Sequence, residues 1–378
     1  MSLVSKTIGT LLNERAAQTP ELSGLEYRDY RYTWREVDEI SDFLAVCYLD
    51  MGIKKGNHGA IWSVNSPNWV FCFLALNKIG AVPVLINTCY KEKELEHLLL
   101  DNDVEYLFYG SGCRENDYRE VLNRIPFETF PRLKRVIALE ENLSDRWYQR
   151  SAFPAELSAQ KKRRLAEAAD WVKPEDTACI MFTSGTTSRP KGVMLSHYSL
   201  VKNSEEIARQ MHWNQEDRLC ISVPLFHCFG ITAGILACMH SGAKAHLLKY
   251  YKTLEVLEQV QRHRCTVLNG VPTMFLALLH NNRSQYDISC LKSGIIAGSP
   301  ILPSEYEEIC RELNLEHLQV SYGQTEASPC IAISDYEDPV ELKAVTSGKV
   351  ISDVELKVKE GEILVRGYNV MQGYYKRP

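Results

Sequence analysis

The sequence predicts an α/β protein. Two stacked αβ subdomains, each a mainly parallel sheet flanked by helices, are followed by a small β-barrel-like subdomain. Three observations carry this. Short apolar runs alternate with segments of helical period over 1–170, the alternation resumes over 171–330, and the helical period disappears from Ile331 onward. Strands separated by helical crossovers pair in parallel, because each crossover returns the chain to the same end of the sheet.

In the first unit, 1–170, Thr33–Leu49 places apolar residues near a 3.6 spacing, and 58–64 reads as a strand. Asn68–Lys78 and Lys91–Asn102 read as helices, with strands at 81–87 and 104–110. A polar stretch from about Leu143 to Asp170 bridges to the next unit. Its basic run, Lys161, Lys162, Arg163 and Arg164, falls in a helical segment and is expected to be a solvated face. The second unit, 171–330, opens with the strand Thr177–Thr183 and alternates through strands at 220–224, 244–248, 265–271, 293–298 and 318–323. Beyond it, 331–334, 355–359 and 362–367 are short strands between Gly, Asp and Pro turns, the antiparallel start of a third unit, 331–378.

Composition excludes several classes. A chain of 378 residues, 45% hydrophobic, can build more than one packed unit. A net charge of -5 without a basic stripe argues against a nucleic-acid partner. The twelve cysteines include no Cys-x-x-Cys pair, and most sit in apolar runs. They read as buried reduced thiols in a reducing, cytoplasmic setting, with Cys228 the least settled of them. The N-terminus lacks the cationic and apolar parts of a signal peptide. The apolar stretches Trp69–Leu76 and Cys228–Met239 fall short of the roughly 20 residues a transmembrane helix needs.

The segment Thr183–His197, TSGTTSRPKGVMLSH, joins two apolar β runs. Hydroxyls of Thr183, Ser184, Thr186 and Thr187 flank Gly185, where a glycine lets backbone N–H groups turn inward around an anion. Arg189 and Lys191 add positive charge. Such a concentration of donors calls for an acceptor-rich ligand, and a polyphosphate fits. The spacing is not that of a Walker A loop: the glycines are seven apart and Lys191 precedes Gly192. Turn formation alone is the plain alternative for Ser, Thr, Gly and Pro.

With Pro-Lys-Gly completing it, this segment resembles the phosphate-binding signature of the adenylate-forming superfamily: acyl-CoA synthetases, luciferases and peptide-synthetase adenylation domains. The resemblance implies that the loop grips the β- and γ-phosphates of ATP. Ser188 stands where the family usually has Gly. Ser321–Ser328, SYGQTEAS, is similar to the family's Tyr-Gly-x-Thr-Glu motif. By that likeness Tyr322 and Gly323 meet adenine, Thr325 binds the α-phosphate and Glu326 holds Mg²⁺. The plain reading of an isolated Thr-Glu pair is a helix cap. Gly298, Ser299 and Pro300 resemble the small-residue turn beside the purine. Pro224–Gly230, PLFHCFG, looks like the carboxylate entry of fatty-acyl and aryl-CoA ligases, with His227 at the gate, although a lone His is more often structural. Thr33–Asp42, Lys78–Asn87 and Gly361–Pro378 extend the likeness over nearly the whole chain.

No acidic residue follows His227 until Glu255, so an α-amino group has no counter-ion there and a plain carboxylic acid is favoured. Gly230, Ala233, Gly234, Ala237 and Ser241 recur at helical spacings of three and four. Such a face either packs closely or borders a channel for an aliphatic chain. The resemblance implies ATP, Mg²⁺ and CoA as cofactors and co-substrates. The implied activity is that of an acyl-CoA synthetase acting on a medium- or long-chain fatty acid through acyl-AMP. A carrier-protein phosphopantetheine as acceptor, or a non-catalytic nucleotide- or acyl-binding module, are the alternatives. The sequence stops inside the late motif. The ribose-binding Asp, hinge and C-terminal lid domain are therefore expected to be missing through truncation, with MSL a cloning remnant and turnover slow.

Overall fold

A computed structural model describes residues 6–140, 156–183, 190–281 and 283–377. Two sheets carry the fold. The larger has nine strands, ordered from edge to edge Lys349–Val350, Cys330–Ile333, His317–Gly323, Ser293–Ala297, Val267–Leu268, Arg218–Ile221, Lys244–Leu247, Ser23–Tyr27 and Tyr30–Thr33. Its interior pairs are parallel and its outer pairs antiparallel. The second has seven, ordered Gly373–Tyr374, Lys191–Ser196, Thr177–Thr183, Val82–Leu85, His58–Trp62, Tyr106–Tyr109 and Arg135–Ala138. Here too the inner pairs are parallel, and the last two strands on the Gly373–Tyr374 side are antiparallel.

Neither sheet is a contiguous block of sequence. The hairpin 23–33 joins the nine-stranded sheet beside Lys244–Leu247, whereas 177–183 and 191–196 complete the seven-stranded one. The sequence reading did not mark 23–33 as strand. The antiparallel element expected after Ile331 divides as well. Cys330–Ile333 adds to the large sheet, and Val354–Lys359 pairs with Glu362–Gly367 in a separate two-stranded hairpin.

Helices fill the space between the sheets. Trp34–Asp50 starts on a capping box: Glu36 N donates to Thr33 Oγ1 (3.2 Å) while Glu36 Oε2 accepts from Thr33 N (2.8 Å). Pro67–Lys78 has proline in its first turn and Ser66 as N-cap. Every residue of that helix is buried, and its PNWVFCFLALNK sequence is mostly apolar, as suits a fully enclosed helix. Its one charged residue, Lys78, is paired with Asp38 at 2.5 Å and with Asp42. The largest core cluster joins these helices to inward residues of both sheets, including Ile61, Leu85, Leu219 and Ile295. Strand neighbours such as Ala60, Trp62, Cys220 and Ile296 point the other way into two outer clusters.

The basic run 161–164 is exposed on the helix Ala159–Asp170, as its composition implied. Among the described residues, no helix is long and apolar enough to cross a membrane.

Candidate active site

Three chain segments meet where the two sheets adjoin. The first is 224–230. Asn65, on the loop after a seven-sheet strand, is buried and reaches across to it: its Nδ2 donates to Val223 O and Leu248 O (both 3.0 Å), and its Oδ1 accepts from Leu225 N (2.9 Å). One carboxamide therefore fixes the turn that presents His227. His227 in turn caps the following helix, its Nδ1 accepting from Phe229 N at 3.3 Å. The same Nδ1 lies 3.6 Å from Cys228 Sγ. The neighbouring thiol raises the His227 pKa against the opposing effect of burial. Cys228 Sγ also points at Thr325 Oγ1, 3.8 Å away.

The second segment is 321–330. Its strand ends at Gly323, and a single 3-10 turn, Thr325–Ala327, follows. Buried carboxamides hold it. Asn203 Oδ1 accepts from Cys330 N (3.1 Å) and its Nδ2 donates to Cys330 O (2.9 Å), while Asn369 Nδ2 donates to the same carbonyl (3.1 Å). Ser328 Oγ donates to Asn369 O at 2.8 Å. These bonds satisfy polar groups that would otherwise be buried unpaired, and they fix Thr325 and Glu326 relative to the helix His197–Gln210.

The third segment is the Thr177–Thr183 and Lys191–Ser196 hairpin with its outer neighbour Gly373–Tyr374. Thr183 and Lys191 are register partners at the end of the hairpin. Tyr374 OH donates to Glu326 Oε1 at 2.8 Å, and Lys191 Nζ sits 5.0 Å from the Tyr374 ring centroid. Burial, then the bond to Glu326, push the Tyr374 phenol pKa up. Among the described residues no protein donor reaches Glu326 Oε2. A half-buried carboxylate with one oxygen held by a phenol and the other free fits a hard cation that also takes phosphate oxygens.

These segments enclose a cavity of about 800 Å³. Of the residues the sequence singled out, Thr183, His227, Gly298, Gly323, Thr325 and Glu326 line it. Its apolar wall includes Phe226, Phe229, Ala233 and Ile295. Gly298 has φ +91, where an L side chain is strained, and a Cβ there would lie 3.1 Å from Val271. Lys191, Ser299, Pro300 and Tyr322 are not part of the wall. Ser299 and Pro300 are exposed beside Gly298, and Tyr322 is half-buried between the lining residues Ser321 and Gly323, where the pairing register shifts. Ser184, Gly185, Thr186 and Thr187 lie outside the described residues.

The expected small-residue helix face is broken by geometry. Ile231–Leu236 is a π-helix between the α-helical turns Cys228–Gly230 and Ala237–Ser241, so a 3.6 period does not keep the small residues in line. A Cβ on Gly230 would meet Pro224 O at 2.2 Å, and one on Gly234 would meet Ile221 at 3.3 Å. Both are packed, whereas Ala233 borders the cavity. Sequence reasoning assigned no role to Asn65, Asn203 or Tyr374. Tyr374 lies in the late motif, so a signal existed. The two asparagines sit in no motif singled out.

The family profile described as "AMP-binding enzyme" matches residues 12–375. The chain is similar to a putative acyl-CoA synthetase, YngI, from Bacillus subtilis (34% identity, 99% of this chain, 73% of the relative). It is also similar to the mitochondrial medium-chain acyl-CoA ligase ACSF2 of Bos taurus (31%, 100% of this chain, 67% of the relative). Its fold is that of the N-terminal domain of FACL13 from Mycobacterium tuberculosis, at TM-score 0.84 and 22% identity over 99% of this chain and 92% of that one. A profile that takes in nearly every residue, two relatives aligned over nearly the whole of this chain, and a cleft where the Thr177–Thr183 and Lys191–Ser196 hairpin meets the Thr-Glu turn lead to one conclusion: the chain belongs to the AMP-binding enzyme family, within the adenylate-forming superfamily.

Proposed function

We propose that this chain activates a carboxylic acid with ATP and passes the acyl group to the thiol of CoA. The observation that carries this is the shared cavity, lined both by the polar Thr183, Thr325 and Glu326 and by the apolar Phe226, Phe229, Ala233 and Ile295. A carboxylate oxygen attacks the α-phosphorus, the bond to the departing pyrophosphate breaks, and acyl-AMP forms. The CoA thiol then takes the acyl carbon and releases AMP. An anion must approach a polyanion, so charge neutralisation is the main requirement. Thr325, buried in its turn, would donate to the α-phosphate. The hydroxyl- and glycine-rich segment starting at Thr183 takes the terminal phosphates. His227, which lines the cavity, would meet the substrate carboxylate. Glu326 Oε2 is the oxygen left to hold Mg²⁺, which when bound would offset phosphate charge. The compartment we propose is the cytoplasm, supported by twelve free thiols.

We take the acid to be an aliphatic one of medium to long chain. The apolar wall supports this, as does the lack of an acidic residue between His227 and Glu255 to receive an amino group. The test is calorimetric binding of non-hydrolysable acyl-adenylate analogues, from acetyl to palmitoyl, with an aminoacyl analogue for contrast. Affinity should rise with chain length to a medium or long optimum, and the aminoacyl analogue should bind weakly. Equal affinity for every analogue and for AMP alone would sink the reading.

A further inference from the structure

Remote from the cleft, three buried side chains converge from three elements. Glu26 lies on the strand Ser23–Tyr27, His246 on Lys244–Leu247, and His263 ends the helix Thr253–His263. They are 6%, 1% and 8% exposed, and none lines the substrate cavity. Parallel pairing sets Glu26 directly beside His246. The Nδ1 atoms of both histidines lie 3.6 Å from the same oxygen, Glu26 Oε2, and the imidazole centroids are 3.9 Å apart. One ligand atom from each of the three falls within 4.8 Å of the other two.

The hydrogen bonds around the cluster leave the inward nitrogen of His246 bare. Ser23 Oγ donates to Glu26 Oε1 at 3.0 Å, which occupies the outer carboxylate oxygen and leaves Oε2 facing the rings. Gln259 Oε1 lies 3.1 Å from His246 Nε2. A carboxamide oxygen only accepts, so Nε2 carries the hydrogen and Nδ1 carries the lone pair. His246 Nδ1, the atom that faces Glu26 Oε2, has no hydrogen-bond partner. A lone pair thus faces a carboxylate oxygen in a dry interior, and two such acceptors repel unless a positive charge lies between them. A shared proton fits poorly, because 3.6 Å exceeds hydrogen-bond length. The nearest fixed cation, Arg31, is 3.8 Å away on the other oxygen, Oε1, and is mostly in solvent.

We propose that Glu26, His246 and His263 form a three-ligand site for a divalent transition-metal ion of the zinc type. Two imidazole nitrogens and one carboxylate oxygen are a borderline donor set that suits such an ion. Bonds of about 2.0–2.2 Å to a tetrahedral ion put neighbouring donors about 3.4 Å apart, close to the spacing present. Ser23 and Gln259 are the outer partners that orient a carboxylate and an imidazole for a metal. Gln259 also lines a surface pocket of about 290 Å³ with Tyr27 and Leu247. The role is structural: the ion ties the hairpin 23–33 to the sheet and to the helix Thr253–His263. It does not rest on the acid-activating reaction proposed above.

The test uses the chain stripped with chelator and titrated with Zn²⁺ alone, then with Co²⁺. Metal content after gel filtration should reach one equivalent, Zn²⁺ should raise Tm, and Co²⁺ should give the intense visible bands of a four-coordinate site. Glu26→Gln and His263→Asn, each checked for native circular dichroism, should lower affinity roughly a hundredfold. No stoichiometric uptake by the unaltered chain would overturn the proposal, as would unchanged uptake in folded variants. Should both variants fail to fold, the Co²⁺ spectrum of the unaltered chain decides. A near-ultraviolet thiolate charge-transfer band would move the ion onto cysteine and overturn the proposal, and its absence alongside the visible bands supports it.

Discussion

At the scale of single residues, the most consequential contact is between Tyr374 and Glu326. The phenol holds one carboxylate oxygen at 2.8 Å, and the Lys191 ammonium rests near the same ring. The ring thus contacts both a cation and an anion of the cleft, and leaves Glu326 Oε2 as the oxygen that would hold Mg²⁺ in the function proposed above. A hydrogen bond to a charged group contributes about 1.5–3 kcal/mol when both partners are shielded. Tyr374 is only half-buried, so the lower end applies. Tyr374→Phe should therefore weaken Mg²⁺-dependent ATP binding roughly tenfold while Tm changes little. A large drop in Tm with unchanged nucleotide binding would make Tyr374 a structural residue only. Sequence reading reached Glu326 and Thr325 through a motif, but Tyr374 only as part of one. The pairing joins positions 48 apart in sequence, and nothing local predicts it.

At the scale of elements, the π-helix Ile231–Leu236 decides which small residue borders the cavity. Widening the helix frees a carbonyl, and Asn269 Nδ2 takes up that of Ala233 at 3.0 Å while its Oδ1 accepts from Ile295 N at 2.9 Å. The bulge is thereby tied to the sheet, with Ala233 turned to the cavity. A spacing argument assumes 3.6 residues per turn, so it could identify the helix but not the residue that faces the ligand. Ala233→Phe should shift the preferred acyl length downward by several carbons in the adenylate-analogue panel, with modest loss of stability. Gly230→Ala should do the reverse. Its Cβ would meet a backbone carbonyl, so about 1–3 kcal/mol of stability is lost and chain-length preference is kept. Equal effects of the two substitutions on chain length would refute the division.

At the scale of the molecule, the chain is woven between its sheets, and this was the least legible feature. Alternating strands and helices are a local signal, and most of those elements stand within a few residues of where the pattern placed them. The pairing of Leu25 with Ala245, or of Val193 with Tyr374, is set by long-range closure that leaves no local trace. One such closure has a consequence that depends on pH. His197 begins the helix His197–Gln210 and is fully buried, and its Nδ1 accepts from Ile8 N at 3.2 Å, docking the helix Ile8–Gln18. Burial pulls its pKa from 6.5 to about 4, and His240, whose Nε2 donates to Val201 O, falls to about 4 for the same reason. The unfolded chain takes up these protons near pH 6.5 while the folded chain refuses them until about pH 4. Stability from each neutral histidine is therefore complete above pH 6.5 and is lost as pH falls towards 4. For His197 that loss is about 3 kcal/mol over the window, or about 1.4 kcal/mol per pH unit per proton. Tm should fall steadily between about pH 6.5 and pH 5, before the ordinary carboxylates begin to titrate. His197→Asn keeps an acceptor for Ile8 N but has no titrating group, so it should remove about one proton's worth of that slope even if it lowers stability at neutral pH. A slope identical to that of the unaltered chain would place the acid sensitivity on some other group and leave the docking of Ile8–Gln18 independent of pH.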